Sequence, residues 1–264
     1  METVLQIDPT RMPPYSLWIG VGIWLAFIYA MLMSPAHGVR RVEAGAMLGW
    51  CGLGALAGAP VVGAIFGVFI TGQSSGTGFS SLGVLLGAVL AAGLAWPVIG
   101  RDRWLGLLDV VVPSGLVGLA IGHLGCLFRG CDFGRITEAG WAVEYAQGSG
   151  PWLWHQVQGE TLPGAAASMA THPFGAYLGA GTLAVVAGGV LWKWRRPQLA
   201  PGLIAFATAL GYLGARLLVE LSREPVFMPE WGRGVHLLHP LLAAGIVGVL
   251  VLWYGVFQPG RPDE

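Results

Sequence analysis

Residues 122–137, GHLGCLFRGCDFGRIT, place one histidine, two cysteines, two arginines and one aspartate at the end of an apolar run. This is the densest polar cluster beside a hydrophobic run in the sequence. A charged side chain next to lipid costs roughly 3 kcal/mol and is retained mainly where it meets a substrate, a partner or a water-filled cavity. The sequence therefore predicts that this stretch forms the floor of a functional site.

The composition is that of a membrane protein. Of 264 residues, 55% are hydrophobic and only 11% are charged, whereas a soluble domain carries about 25% charged residues. Fourteen basic and fourteen acidic side chains cancel, so no basic field predicts a nucleic-acid partner. Residues 1–18 lack the pattern of a cleavable signal peptide, and the first apolar run is expected to be a permanent helix.

Seven apolar runs are long enough to cross a bilayer, since a transmembrane helix needs ~20 residues and a window of ~19 detects it. They cover residues 15–33, 44–70, 80–99, 107–128, 174–191, 202–221 and 237–257. We therefore expect an all-α integral membrane protein with seven transmembrane helices, which forms a single membrane domain over residues 1–264.

Basic residues follow the first, third, fifth and seventh runs. They are Arg40, Arg41, Arg101, Arg103, Lys193, Arg195, Arg196 and Arg261. Short cytoplasmic loops are enriched in Lys and Arg, so these connections are expected to share the cytoplasmic side. The N-terminus is then outside, the C-terminus is cytoplasmic, and residues 122–137 end at the outer face.

The connection at 129–173 is too long to be a simple turn. Long connections in compact proteins are more often functional than filler, and we expect a small extracytoplasmic head here. Its aromatic residues include Trp141, Tyr145, Trp152 and Trp154, and tryptophan is enriched at membrane interfaces. Elsewhere, the spacings of Gly54 and Gly58 and of Gly83 and Gly87 predict close helix packing.

Arg216 lies inside an apolar run and needs a buried partner or an anionic ligand. Glu220 is four residues further along the same helical face, so an ion pair that only holds the bundle together is one interpretation. The other is a bidentate site for the phosphate of a lipid headgroup. Both can hold together. Arg223, near the end of the run, is either a second ligand contact or a side chain that reaches the interface.

His123, Cys126 and Cys131 leave several interpretations open. His123 is a candidate general base or a hydrogen-bonded residue at a helix end. The three together could ligate a metal, but their spacing matches no familiar zinc pattern and a fourth ligand is not evident. The cysteines could instead form a disulfide in an oxidising compartment, although a helix continuing through both would strain it.

The remaining polar candidates lie in loops or at a helix start. Asp132 is the best-placed acid because it sits within the glycine-framed stretch. His172 and Tyr177, at the beginning of the fifth run, could donate hydrogen bonds to a headgroup or simply anchor the interface. No cofactor and no bound metal are expected.

The stretch at 122–137 resembles the prolipoprotein diacylglyceryl transferase family, whose corresponding segment reads approximately GRIGNFINGELYGRVT. The residues in register are Gly122, Gly125, Gly130, Gly134, Arg135 and Thr137. Similar segments follow in the same order along nearly the whole chain: DVVVPSGLVGLAIG at 109–122, WAVEY at 141–145, HPFGAY at 172–177 and GYLGARLLVELSREP at 211–225. The last keeps Tyr212, Arg216, Glu220, Arg223, Glu224 and Pro225.

This resemblance implies a seven-helix enzyme of the bacterial plasma membrane with a periplasmic head. Family members move the diacylglyceryl group of phosphatidylglycerol to the thiol of the lipobox cysteine in a prolipoprotein signal peptide, releasing glycerol phosphate. Arg216 falls on the family's essential arginine, which contacts the lipid phosphate. The implied partners are therefore phosphatidylglycerol, the prolipoprotein and the lipid bilayer.

Several family positions differ here. Leu82 stands where the family has an important histidine, and His123 stands where it has arginine. Cys126 and Arg129 replace asparagines, and Cys131 replaces a glutamate. Compensation is conceivable, with Arg129 or Arg135 contacting the phosphate, His123 as base and Asp132 as acid. The alternatives are a noncatalytic phospholipid- or lipoprotein-binding paralogue, and a thiol or metal protein using His123, Cys126 and Cys131.

Overall fold

The computed structural model describes residues 5–71, 81–224, 245 and 248–250, with side chains throughout except at 66–71 and 81–82. Of the seventh expected span, 237–257, only residues 245 and 248–250 are described, and these are helical. The side chain of Leu82 lies outside the described residues.

Helices dominate the described chain, and all of them except α5 fall on the first six apolar runs. They are α1 (Tyr15–Met33), α2 (Arg41–Thr71), α3 (Ser81–Ile99), α4 (Arg101–Arg129), a short α5 (Gly150–Val157), α6 (Phe174–Arg195) and α7 (Leu203–Glu220). Within the described ranges, five helices are long and apolar enough to cross a membrane, and a shorter apolar helix covers Gly83–Ile99. The prediction of an integral membrane protein built from apolar helices is confirmed at this level.

Two helices begin earlier than their apolar runs. α2 starts at Arg41 and α4 at Arg101, and their first turns carry Glu43 and Asp102 respectively. Acidic side chains are favourable near a helix N-terminus because its unpaired N–H groups carry partial positive charge. Polar residues therefore extend each helix beyond the segment that hydrophobicity alone detects.

The chain divides into two compact units. The glycine-packed unit comprises Ala26–Gly115 and Arg195–Ala205, and the arginine unit comprises Met1–Leu25, Leu116–Trp194 and Phe206–Glu264. In the glycine-packed unit, a Cβ on Gly54 would lie 2.4 Å from the carbonyl oxygen of Gly87, and one on Gly58 would lie 2.2 Å from that of Gly83. The predicted packing through these glycines is confirmed, because only hydrogen side chains let the backbones of α2 and α3 approach so closely.

Asp109, the first residue of the family-like segment at 109–122, has a structural role. Its carboxylate is buried in the glycine-packed unit and accepts hydrogen bonds from the backbone N–H groups of Gly202 and Ala205, each at 2.8 Å. Gly202 directly precedes α7 and Ala205 lies in its first turn, where N–H groups are available to an acceptor outside the helix. Asp109 on α4 therefore caps α7 from a distant position in the sequence.

The segment between α4 and α6 contributes one strand of a pair that no sequence pattern predicts, and the other strand lies before α1. β1 (Leu5–Ile7) runs parallel to β2 (Val143–Tyr145). Both strands are only three residues long, below the length at which alternation of hydrophobic residues is informative. The pairing ties the beginning of the described chain to this segment.

A small hydrophobic core supports the strand pair. It consists of Ile7, Leu127, Phe133, Val143 and Tyr145. The Tyr145 hydroxyl donates a hydrogen bond to the Leu127 carbonyl at 2.9 Å, which satisfies its buried polar end. The core thereby fixes the last turns of α4 against the segment that follows.

His155 on α5 is expected to make this core sensitive to acid. It is fully buried, its Nδ1 accepts a hydrogen bond from the Met169 N–H at 3.2 Å, and its Nε2 lies 3.8 Å from a Glu160 carboxylate oxygen. Burial lowers the pKa of His155 to about 4. The unfolded chain then binds more protons than the folded one below pH ~6.5, so the contribution of His155 to stability is complete above that pH and is lost as the pH falls toward ~4.

Urea unfolding followed by tryptophan fluorescence between pH 7 and pH 4 measures this effect. We expect His155→Gln to lose less stability over this range than the unaltered protein, because glutamine does not titrate. Equal pH dependence of the two proteins would show that His155 does not take up a proton on unfolding.

Candidate active site

Three backbone segments meet at one end of the arginine unit. Residues 133–136, which follow α4, lie between the segment at 171–172 and the segment at 222–224. Hydrogen bonds join Gly134 N–H to the His172 carbonyl at 3.1 Å, Arg135 N–H to the Ser222 carbonyl at 2.8 Å, and Glu224 N–H to the Phe133 carbonyl at 3.1 Å. These contacts hold the end of α4, the beginning of α6 and the end of α7 together.

Gly134 is the residue on which this junction depends. A Cβ at this position would lie 2.5 Å from the His172 Cβ, 2.6 Å from the His172 carbonyl oxygen and 2.8 Å from the Ser222 carbonyl oxygen. Two of these neighbours are backbone atoms, which a rotamer change cannot move.

We expect Gly134→Ala to destabilise the protein by about 1–3 kcal/mol, the usual cost of forcing extra carbon atoms into a packed site. Thermal unfolding in detergent measures the loss. The matched control is Gly188→Ala in α6, where a Cβ would meet no described atom within 4 Å. Equal stability of the two variants would mean that the junction yields easily.

Four charged side chains of alternating sign lie beside the junction: Arg216, Glu220, Arg223 and Asp132. They are called the charged chain below. Arg216 Nη2 lies 3.1 Å from Glu220 Oε2, and Glu220 Oε1 accepts a hydrogen bond from Arg223 Nη1 at 2.9 Å. Arg223 Nη2 in turn donates to Asp132 Oδ1 at 2.7 Å. The predicted contact between Arg216 and Glu220 is confirmed, and Glu220 is shared between two guanidinium groups.

Arg223 is held as a cation by its neighbours. Burial lowers its pKa, but the carboxylates of Asp132 and Glu220 more than offset this and raise the pKa above its ordinary value. Arg223 therefore does not extend freely to the interface, as one interpretation of the sequence had it. It bridges the end of α7 and the segment that follows α4.

Phe174, the first residue of α6, packs against both cations. The Arg216 guanidinium carbon lies 5.2 Å from the ring centroid and that of Arg223 lies 5.6 Å from it. The face of an aromatic ring attracts a cation within about 6 Å. Phe174 is not recognisable as a site residue from the sequence, since a phenylalanine at the start of an apolar helix is indistinguishable from a core residue. Its only signal was its position directly after His172 and Pro173.

His123 is buried on α4 and is close enough to Arg216, Asp132 and Arg223 to interact with them electrostatically. Its Nε2 and Glu220 Oε2 are buried atoms for which the described residues provide no hydrogen-bond partner. The contact of Glu220 Oε2 with Arg216 is thus one of ion-pair distance and not a directed hydrogen bond. Buried polar atoms are nearly always paired, so these two atoms call for an explanation such as a catalytic role or a bound ion.

Packing of α4 against its neighbours positions His123. A Cβ on Gly175 would lie 2.5 Å from the His123 carbonyl oxygen, and one on Gly125 would lie 2.6 Å from the Trp18 Cβ. Tyr212 on α7 is also buried, and Arg216 and Glu220 influence it electrostatically. The two glycines therefore allow close packing around the helix turn that carries His123.

The two other candidate arginines are exposed. Arg129 donates to the Pro9 carbonyl at 2.7 Å, and Arg135 Nε donates to the Arg223 carbonyl at 3.2 Å. Arg135 thus joins the residues of the charged chain through a backbone contact. Arg129 contacts the segment before α1.

His172 and Tyr177 form a separate group. His172 Nδ1 lies 3.1 Å from the Tyr177 hydroxyl, which accepts a hydrogen bond from Trp141 Nε1 at 2.5 Å. The Trp141 side chain is largely exposed. The backbone of His172 connects this group to the junction at Gly134.

Cys126 and Cys131 are both free thiols. The helix does not continue through both cysteines, because α4 ends at Arg129 and Gly130 adopts φ +65°, so the strain expected for a continuing helix does not apply. Within the described ranges, no three His, Cys, Asp or Glu side chains are placed to share a metal ion.

The described helices, together with the ion pairs of Arg216 and Arg223 with Glu220 and Asp132, define a multi-pass membrane protein with a largely buried charged site. A profile of the family described as "Prolipoprotein diacylglyceryl transferase" matches residues 2–257. The chain belongs to this family.

Three relatives illustrate the similarity, and each is named phosphatidylglycerol–prolipoprotein diacylglyceryl transferase. That of Xanthomonas campestris pv. campestris (strain B100) is 34% identical over 56% of this chain and 50% of its own length. That of Cupriavidus necator is 28% identical over 69% and 61%, and that of Methylibium petroleiphilum is 31% identical over 67% and 62%. The chain therefore spans between half and two thirds of the length of these curated relatives.

Proposed function

We propose that this chain is a divergent diacylglyceryl transferase of the bacterial plasma membrane. It moves the diacylglyceryl group of phosphatidylglycerol to the thiol of a prolipoprotein lipobox cysteine. The sulfur attacks the glyceryl carbon, a carbon–sulfur bond forms, the carbon–oxygen bond to phosphate breaks, and glycerol phosphate leaves. Family membership and the names of the relatives support this reaction.

The observation that carries the proposal is the partial neutralisation of Arg216. Arg216 is only 7% exposed, and the Glu220 carboxylate beside it also binds Arg223. A guanidinium has five N–H donors in a fixed fork that matches phosphate oxygens. Arg216 is therefore proposed to hold the phosphate of the lipid, with Arg223 beside it on the same aromatic ring.

The same cations serve the chemical step. Negative charge grows on the phosphate oxygen as the carbon–oxygen bond breaks, and cations placed there in advance lower the barrier. His123 is the proposed base that takes the proton of the attacking thiol. Asp132 is proposed as the third catalytic residue, and its pairing with Arg223 fixes the orientation of that guanidinium. Exposed Arg129 and Arg135 are proposed to attract the anionic headgroup.

The remaining proposed site residues play supporting roles. Glu220 aligns the two arginines, the glycines at 125, 130 and 134 allow close backbone approach, and Tyr212 lines the site. Cys126, Cys131, His172 and Tyr177 complete the set.

The membrane arrangement is part of the proposal. We infer seven spans in a single domain over 1–264, with the N-terminus outside and the C-terminus in the cytoplasm. α4 ends at Arg129 and α6 begins at Phe174. Because these are consecutive membrane helices in the proposed arrangement, the segment between them begins and ends at the same face of the membrane. The segment 129–173 is then a head on the outer side, next to the proposed acceptor.

Reconstitution tests the function directly. The full chain is placed in vesicles containing phosphatidylglycerol and incubated with a lipobox peptide. The expected result is a gain in peptide mass by one diacylglyceryl group together with release of glycerol phosphate. Vesicles of phosphatidylcholine alone and a peptide with serine in place of the lipobox cysteine are the controls. No mass gain with any lipobox peptide would refute catalysis.

A noncatalytic phospholipid- or lipoprotein-binding paralogue is the second candidate. It is favoured by the replacements at Leu82, His123, Cys126 and Cys131, which leave the charged chain in place. Saturable binding to phosphatidylglycerol vesicles that Arg216→Ala abolishes, with no product formed, would establish this candidate.

A further inference from the structure

Cys126 and Cys131 occupy special positions at the end of α4. The N–H of Gly130 donates to the Leu127 carbonyl at 3.3 Å, and the N–H of Cys131 donates to the Cys126 carbonyl at 3.2 Å. Together with the positive φ of Gly130, this pair of bonds is a Schellman motif. The motif reverses the chain, so that the residue after the glycine folds back onto the helix.

A Schellman motif brings two particular side chains together. They are the third residue from the helix end and the second residue beyond the cap, which usually make a hydrophobic contact. Here these positions hold Cys126 and Cys131, and a side-chain hydrogen bond joins the two thiols. Glycine at 130 is required because its backbone conformation is strained for other residues.

The two thiols differ in their surroundings. Cys131 is exposed, whereas Cys126 is partly buried and its sulfur lies 3.6 Å from the Tyr15 hydroxyl. Hydrogen bonding from the Cys126 thiol lowers the pKa of Cys131. Thiolates are the reactive form of cysteine, so the exposed member of the pair is also the more reactive one.

We propose that Cys126 and Cys131 form a thiol–disulfide exchange site whose co-substrate is an organic or protein disulfide. The Cys131 thiolate attacks one sulfur of the disulfide, forms a mixed disulfide and releases one thiol. The Cys126 thiol loses its proton and attacks the Cys131 sulfur, which forms the Cys126–Cys131 bond and releases the second thiol. Two cysteine thiols are oxidised, the incoming disulfide is reduced to two thiols, and excess external thiol reverses the reaction.

The pairing of roles follows from the fold. A disulfide in solution can reach exposed Cys131 before it reaches Cys126, and the Schellman motif already places the second thiol beside the first. The intramolecular step is therefore fast relative to attack by another external thiol. A disulfide at Cys131 would lie directly before Asp132 in the sequence, and the Asp132 carboxylate binds Arg223.

The test uses the full chain in detergent with glutathione disulfide as the oxidant. A Cys51→Ser background leaves Cys126 and Cys131 as the two thiols of the chain. After oxidation, thiols are counted with a maleimide polymer on a gel and intact mass is measured. The expected result is loss of both reactive thiols with a mass decrease of two hydrogen atoms, restored by dithiothreitol.

Single variants separate the two roles. Cys126→Ser is expected to accumulate a glutathione adduct on Cys131, because no second thiol displaces it. Cys131→Ser is expected to react much more slowly. Persistent glutathione on Cys131 in the background protein, cross-linked dimers, or two thiols that remain free at any glutathione ratio would each overturn the proposal. None of these readouts depends on diacylglyceryl transfer, so the exchange site and the proposed function can fail separately.

Discussion

Replacing Arg216 with alanine is expected to lower kcat/KM for diacylglyceryl transfer by about 100-fold or more. Each hydrogen bond to a charged group contributes about 1.5–3 kcal/mol, and ~1.4 kcal/mol corresponds to a factor of ten in rate. The loss should appear in kcat as well as in KM, because the phosphate gains charge in the transition state. Initial rates of peptide lipidation in phosphatidylglycerol vesicles measure it.

The alanine variant also leaves Glu220 buried with one cation fewer, so unfolding alone could reduce activity. Arg216→Met combined with Glu220→Leu addresses this, because an ion pair replaced by apolar residues of similar volume often retains stability. We expect the double variant to regain stability without regaining activity. Arg216→Lys should recover only part of the activity, since an ammonium group lacks the bidentate fork.

Leu218→Ala is the matched surface control on α7, because Leu218 is 70% exposed within the described chain and two residues from Arg216. It should leave the rate within about twofold, as expected for a site outside the charged chain. Full activity of the folded double variant would remove Arg216 from the mechanism and with it the proposed phosphate site.

Replacing Glu220 with glutamine is expected to destabilise the protein by about 3–5 kcal/mol, the usual cost of removing one partner from a buried ion pair. The Glu220 side chain is fully buried and contacts two guanidinium groups. When Glu220 loses its charge, Arg216 has no carboxylate partner among the described residues, whereas Arg223 keeps Asp132. Denaturation in mixed micelles followed by tryptophan fluorescence measures the loss.

The lipid composition of the micelle makes this measurement specific. If Arg216 binds a lipid phosphate, an anionic headgroup can partly replace the missing carboxylate. The destabilisation by Glu220→Gln should then be smaller in phosphatidylglycerol micelles than in purely zwitterionic ones. Glu160→Gln, in the turn after α5, is the control for general charge effects. An equal loss in both lipids would indicate that the charged chain has only a structural role.

Much of the fold was accessible from the sequence because hydrophobicity is a local property. Apolar runs identified six described helices, and glycine spacing identified the contact of α2 with α3. The four-residue spacing of Arg216 and Glu220 also predicted their ion pair, since helical geometry alone brings such residues together. These inferences needed no knowledge of which helices are neighbours.

Other features were inaccessible because they depend on contacts between distant segments. The pairing of Asp132 with Arg223 spans 91 residues, and no local pattern specifies it. The strand pair β1–β2 joins residues far apart, and the three-residue strands carry too little pattern to detect. Phe174 became recognisable only when its ring was found against two cations.

The sequence by itself determined that this is a helical membrane protein, that Arg216 needs a negative partner, and that the chain resembles a lipid-modifying family. Its composition and motif order carry that information because the cost of placing charge in lipid acts on each residue separately. Only the tertiary structure decided that Glu220 is shared between two arginines and that the helix ends between Cys126 and Cys131. Both depend on backbone hydrogen bonds and side-chain contacts that form when distant segments meet.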